Sequence, residues 1–156
     1  MKKFLPILIL FVPIFTFAQT SEYTLTSYLE EGFKAPNTNY IGEAWLNSVL
    51  SADETIPFNI TKATFKANST LNWHKHTDQQ VLIVVEGEGY YQEKGKQAIR
   101  MKEGDIIKCT ADTEHWHASS KEKDVTYLAI YNGETTWTEV LTQQEYDKVA
   151  ESLKSY

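Results

Sequence analysis

The sequence predicts one all-β domain, an antiparallel sandwich or barrel with a short C-terminal α-helix. Three observations predict it: short β-rich runs, turn signals between them, and a helix-start signature near the end. The runs are Phe58 to Phe65, Val81 to Val85, Tyr90 to Glu93, Ala98 to Met101, Ile106 to Cys109 and Val125 to Tyr131, each short enough for a strand. Between them lie Glu86-Gly87-Glu88-Gly89, Lys94-Gly95-Lys96, Glu103-Gly104-Asp105 and Asn132-Gly133, short glycine-bearing segments that favour reversal of the chain. Many short strands at regular spacing are the pattern of closed or sandwiched antiparallel sheets. Near the end, Thr142 with Glu145 three residues on forms a capping box, and Leu141 with Tyr146 fits a hydrophobic staple. The expected helix follows Thr142 for about 10 to 12 residues.

The chain begins with Met1, Lys2 and Lys3, an apolar run from Phe4 to Phe17, then Ala18 and Gln19. A positive start, an apolar stretch too short to span a bilayer and small residues before a cut make a secretory signal peptide. Pro6 and Pro13 argue against an uncleaved anchor. Export to the periplasm or beyond follows, with no stable membrane insertion after cleavage. The expected organisation is a signal peptide over 1–18, an N-terminal arm over 19–56, the β-domain over 57–140 and the helix over 141–156.

Of 156 residues, 15 are Lys or Arg and 21 Asp or Glu, a net charge of -6. Losing Lys2 and Lys3 with residues 1–18 leaves 13 basic residues against 21 acidic, a net of -8. A nucleic-acid partner is not expected of so acidic a surface. Cys109 is the single cysteine, so no intramolecular disulfide is available, and a small buried hydrophobe is its expected role.

All four histidines fall in two i, i+2 pairs, His74 with His76 and His115 with His117. On a strand, i and i+2 project from one face, so each pair aims two imidazoles at one volume. Two such pairs, with no histidine elsewhere, point to one shared metal site. Gln80 lies four residues after His76 and keeps that parity; its amide oxygen is a neutral ligand. Trp73 and Trp116 have the opposite parity and should face away, into packing or a dimer interface. Tyr90 and Tyr91, read as a hairpin, should place one ring inward.

The stretch Trp73-His74-Lys75-His76-Thr77-Asp78-Gln79-Gln80, followed after six residues by Gly87, resembles the first motif of the cupins. The stretch from Gly104-Asp105 to His115 resembles the second. The resemblance spans about Phe58 to Tyr131 and implies a double-stranded β-helix, the cupin jelly roll. It also implies His74, His76, Gln80 (for the usual Glu) and His115 as metal ligands. Asn68 stands for a motif glycine, Thr110-Ala111-Asp112 for Pro-x-Gly, and Ser119 for a frequent Asn.

His-x-His-x3-Gln with a later His-Trp-His is similar to the manganese-dependent hydroxynitrile lyases and the cupins associated with carboxymuconolactone decarboxylase. That likeness implies His115 as ligand and His117 as pocket acid or base. Tyr127 falls where those lyases carry a further pocket histidine, and its phenol is expected to act there as a hydrogen-bond donor. The neutral ligand set leaves an ion its full charge and suits Mn or Fe, with Zn, Ni and Cu also compatible with imidazole. The expected function is lyase-like Lewis-acid chemistry on a small molecule. The alternatives are an oxygen-activating dioxygenase-type cupin and a non-catalytic small-ligand binding module. Phe65, Ala63 and Tyr131 are the expected pocket wall, and a homodimer is the expected assembly.

Overall fold

The computed structural model describes residues 25–154, so the signal-peptide expectation for 1–18 lies outside the described residues. In chain order the strands are β1 (Phe33–Lys34), β2 (Tyr40–Ile41), β3 (Ala44–Leu50), β4 (Asn59–Phe65), β5 (Thr70–Leu71) and β6 (Trp73–His76). There follow β7 (Gln80–Glu93), β8 (Ile99–Lys102), β9 (Ile106–Cys109), β10 (His115–Ser119), β11 (Val125–Tyr131), β12 (Thr135–Glu139) and the helix α1 (Gln143–Ser152). One antiparallel sheet runs β1-β3-β4-β11-β7-β9. In the other, β8-β7-β10 continues through β5 to β2 and through β6 to β12. The result is the double-stranded β-helix expected above.

β7 corrects one expectation. Glu86-Gly87-Glu88-Gly89 does not reverse the chain; it lies inside a single 14-residue strand. Gln80 to Ile83 pair with β9 in the first sheet, and Glu88 to Tyr91 pair with β8 in the second. The glycines let one strand serve both sheets. Gly87 has φ 81°, and a Cβ there would strike the Asp124 carbonyl. At Gly89 a Cβ would strike the Ala118 carbonyl and the Tyr127 hydroxyl. Tyr90 and Tyr91 are therefore strand neighbours rather than a hairpin pair, and both are buried. Tyr91 packs near His115, and Tyr90 packs on the other face against Tyr146 of α1.

Within the described part of the arm, β1, β2 and β3 are built into the sheets. Trp45 pairs with Thr64 and Leu46 with Ala63 along β4, while Tyr40 pairs with Leu71. Only Ala44 of β3 is fully buried, so its sequence lacks the strong alternation that would have announced a strand.

α1 begins as expected. Thr142 accepts from the Glu145 backbone N–H at 3.2 Å, and Glu145 accepts from the Thr142 N–H at 2.9 Å. Leu141 and Tyr146 are both buried, and the Tyr146 hydroxyl donates to the Ser119 carbonyl at 3.0 Å. Of the outward indoles, Trp116 ends beneath this helix, with Trp73 beside it. Trp116 lies edge-on to Tyr146 and to Trp73, and its Nε1 donates to Gln92 at 3.0 Å. Lys94 covers the Trp73 ring at 4.7 Å. Both indoles are thus covered within one chain, without recourse to a dimer interface.

Candidate metal centre

β6 and β10 run antiparallel with His115 directly opposite His74. Strand parity then carries His76 and His117 onto the same inner face. All four imidazoles are buried. Ring centroids are 4.3 Å apart for His74 and His115, 5.1 Å for His74 and His76, and 5.5 Å for His74 and His117. Gln80, the first residue of β7, is also buried, with its amide oxygen 3.1 Å from His115 Nε2.

The far sides of the rings orient them. His74 Nδ1 lies 3.0 Å from the Asn72 carbonyl and His115 Nδ1 2.9 Å from the Thr113 carbonyl. A carbonyl only accepts, so each Nδ1 carries the proton and each Nε2 keeps its lone pair for the interior. His76 Nδ1 is 3.1 Å from Thr135 Oγ1, and its Nε2 is buried without a partner. His115 Nε2 and Gln80 Oε1 are then two acceptors facing each other, an arrangement that a cation between them would relieve. Two donors about 2.1 Å from one ion and at right angles around it stand about 3 Å apart. His115 Nε2 and Gln80 Oε1 therefore stand at the spacing of two ligands of one divalent transition ion.

Burial is the first cause pushing every one of these histidines below its ordinary range. His76 falls to about 4, with the neighbouring His115 adding to the effect. His74 and His117 are driven well down by burial and then by their neighbours, chiefly His115, and His115 is itself lowered by burial. The cluster is neutral at neutral pH, the state in which imidazole binds metal.

His117 lies close enough to compete as a ligand. Ring nitrogens of His74, His115 and His117 fall within 4.8 Å of one another, and His117 Nδ1 is buried without a partner. Tyr127 has a different position from the one expected. It packs edge-on to His117 at 5.1 Å, but it does not line the cavity, and its hydroxyl donates to the Ala118 carbonyl at 2.5 Å. Burial raises its phenol well above the ordinary range. Its hydroxyl is committed between the sheets, and its contact with the site is the packing of its ring on His117.

A cavity of about 130 Å³ opens from the cluster. His74, His76, Gln80 and His117 line it together with the expected wall residues Ala63, Phe65 and Tyr131. Tyr40, Leu46, Leu71, Thr135 and Trp137 line it too, and sequence reasoning missed them. They arrive from the arm, β5 and β12 by long-range pairing that no local pattern encodes.

The motif departures are accommodated. Asn68 has φ 60°, and Asp112 has φ 57° in the place of the motif glycine. The Asp112 N–H donates to the His76 carbonyl at 2.8 Å. Ser119 donates to the Lys66 carbonyl at 2.7 Å and accepts from the Ser69 N–H at 2.9 Å, tying the loop before β5 to β10. Cys109 is buried, and burial pushes its thiol up to about 11, which makes it a packing residue rather than a reactive thiolate.

Comparison with known proteins agrees with this architecture. Residues 62–131 match the family model described as Cupin domain. A cupin-like protein from Thermotoga maritima superposes with a TM-score of 0.76 at 27% identity, over 80% of this chain and 98% of its own. A second protein from that organism, described as a predicted oxalate decarboxylase, superposes with a TM-score of 0.62 at 20% identity, over 71% of this chain and 100% of its own. The chain belongs to the cupin superfamily. Among curated proteins it is similar to acireductone dioxygenase of Rattus norvegicus, 24% identical over 61% of this chain and 53% of that protein. It is also similar to acireductone dioxygenase 1 of Sorghum bicolor, 26% identical over 65% of this chain and 59% of that protein. The chain thus spans little more than half the length of the curated relatives it matches.

Proposed function

We propose that this protein is a metal-dependent cupin enzyme that holds one divalent transition ion with His74, His76, His115 and Gln80 and acts on a small oxygen-bearing molecule. The observation that carries the reading is the facing pair of acceptors, His115 Nε2 and Gln80 Oε1, beside the unpartnered Nε2 of His76. A bound ion would act as a Lewis acid on a substrate oxygen, and it would keep its full charge because every ligand is neutral. The ligand types favour Mn or Fe.

His117 lines the cavity as a neutral imidazole and is suited to accept a proton from substrate. Phe65 and Tyr127 pack edge-on to its ring at 5.9 and 5.1 Å and hold its orientation. The apolar wall excludes water from the transfer. A lyase-type reaction, breaking a C–C or C–H bond beside the bound oxygen, uses these parts without a further reactant. The similarity to acireductone dioxygenases supports a second reading, an oxygen-consuming reaction at the same centre. The segment 1–18 supports export of the protein as part of this reading.

Assays of metal-loaded protein on cyanohydrins, 2-oxo acids and phenols, with and without dioxygen, test the proposal. Turnover without dioxygen supports the lyase reading, and oxygen-dependent turnover supports the second. Ligand binding without turnover in either atmosphere contradicts both.

A further inference from the structure

The cavity wall carries no fixed charge. Among the described residues that line it there is no Asp, Glu, Lys or Arg. Its polar groups beyond the candidate ligands and His117 are hydroxyls and one indole. Tyr131 lies beside His76, with ring centroids 5.7 Å apart, and its hydroxyl is 3.4 Å from Thr61 Oγ1. Tyr40 comes from β2 and packs on Phe65 and Trp137. Leu46 comes from β3 and contributes an apolar side chain. Phenols and threonine hydroxyls are uncharged at neutral pH and donate or accept single hydrogen bonds.

Resting on the metal-centre reading, we infer that the site selects substrates with a single anionic oxygen head group and an uncharged body. The head group finds its countercharge at the metal centre. A second carboxylate or a phosphate on the body would be buried against Leu46, Ala63, Phe65 and two phenols with no cation to pair with, a heavy desolvation penalty. Tyr40, Tyr131 and Thr61 satisfy at most a neutral hydroxyl or carbonyl on the body. The arm is therefore part of the specificity apparatus, since Tyr40 and Leu46 both come from it. The substrate class is a small monoanionic acid or enolate with an apolar or singly hydroxylated remainder.

Two probes of nearly equal shape test the inference. 2-Oxopentanoate and 2-oxoglutarate present the same chelating head and differ in a terminal methyl against a terminal carboxylate. Titration of each into Co²⁺-loaded full-length protein, followed by the visible d–d bands, reads binding without activity. 2-Oxopentanoate should bind at least about thirtyfold more tightly, the size expected for an unpaired buried carboxylate. Leu46→Lys, with its fold checked by circular dichroism, should shrink that ratio at least about tenfold by supplying a cation. Equal affinities in the wild type, preference for 2-oxoglutarate, or binding of neither would overturn the inference. Failure of the protein to take up Co²⁺ would instead overturn the metal-centre reading beneath it.

Discussion

His74 and His115 face each other as direct partners across β6 and β10, with ring centroids 4.3 Å apart and each Nδ1 on a backbone carbonyl two residues earlier in its own chain segment. Two segments with nothing in common in sequence thus anchor their rings by the same Nδ1 hydrogen bond, with the ring planes 56° apart. The pair is the fixed axis of the candidate centre, and the other donors are arranged about it.

The two remaining positions on the inner face should separate by function. His76→Ala should weaken metal binding at least about tenfold. His117→Ala should retain stoichiometric metal while lowering turnover by about 100-fold or more, the usual size of a lost acid–base group. Metal analysis and rates on both variants check this. Loss of metal from His117→Ala with retention in His76→Ala would instead assign the ion to His74, His115 and His117.

Gln80→Glu replaces a neutral ligand with an anionic one. Metal affinity should rise by at least about tenfold, since carboxylate oxygen binds hard divalent ions better than an amide does. Lewis-acid turnover should fall because part of the ion's charge is neutralised. Chelator competition and rate measurements on the same preparation give both numbers.

The buried histidines make the metal-free protein sensitive to acid. Unfolded imidazoles bind protons near 6.5, whereas His76 in the fold does so only near about 4 and the others are also lowered. Between these values the unfolded state holds more protons, so stability is full above about 6.5 and falls as pH drops toward 4. Thermal melts of metal-free protein across this window should show a falling Tm, and His76→Gln should flatten the slope.

The helix α1 closes the outer face of β10. Tyr146→Ala should cost about 3 to 5 kcal/mol, the range for a buried aromatic, and expose Trp116. Tyr146→Phe should cost about 1 kcal/mol through the lost hydrogen bond to Ser119. Denaturant titrations followed by tryptophan fluorescence report both.

The shared face of the four histidines was legible in the sequence, whereas parts of the barrel around them were not. Period-two spacing of His74, His76, His115 and His117 survives translation into strands because parity is a local property. The capping box at Thr142 and Glu145 is local in the same way. β7 was misread at Gly87 and Gly89 because glycine marks both turns and close approaches, and only the Asp124 and Ala118 carbonyls of other segments decide which. β3 escaped because most of its residues are only partly buried. Tyr40 and Trp137 reach the cavity through pairing with β5 and β6, strands distant in sequence. The Tyr127 phenol looked available because its acceptor, the Ala118 carbonyl, belongs to a neighbouring strand.

Elemental analysis of untagged, natively expressed protein tests the central claim most directly. The account predicts about one transition-metal ion per chain in the wild type and under about one tenth in His74→Ala, with the variant's fold intact by circular dichroism. A wild type holding well under one ion, or equal metal content in the two proteins, would contradict it.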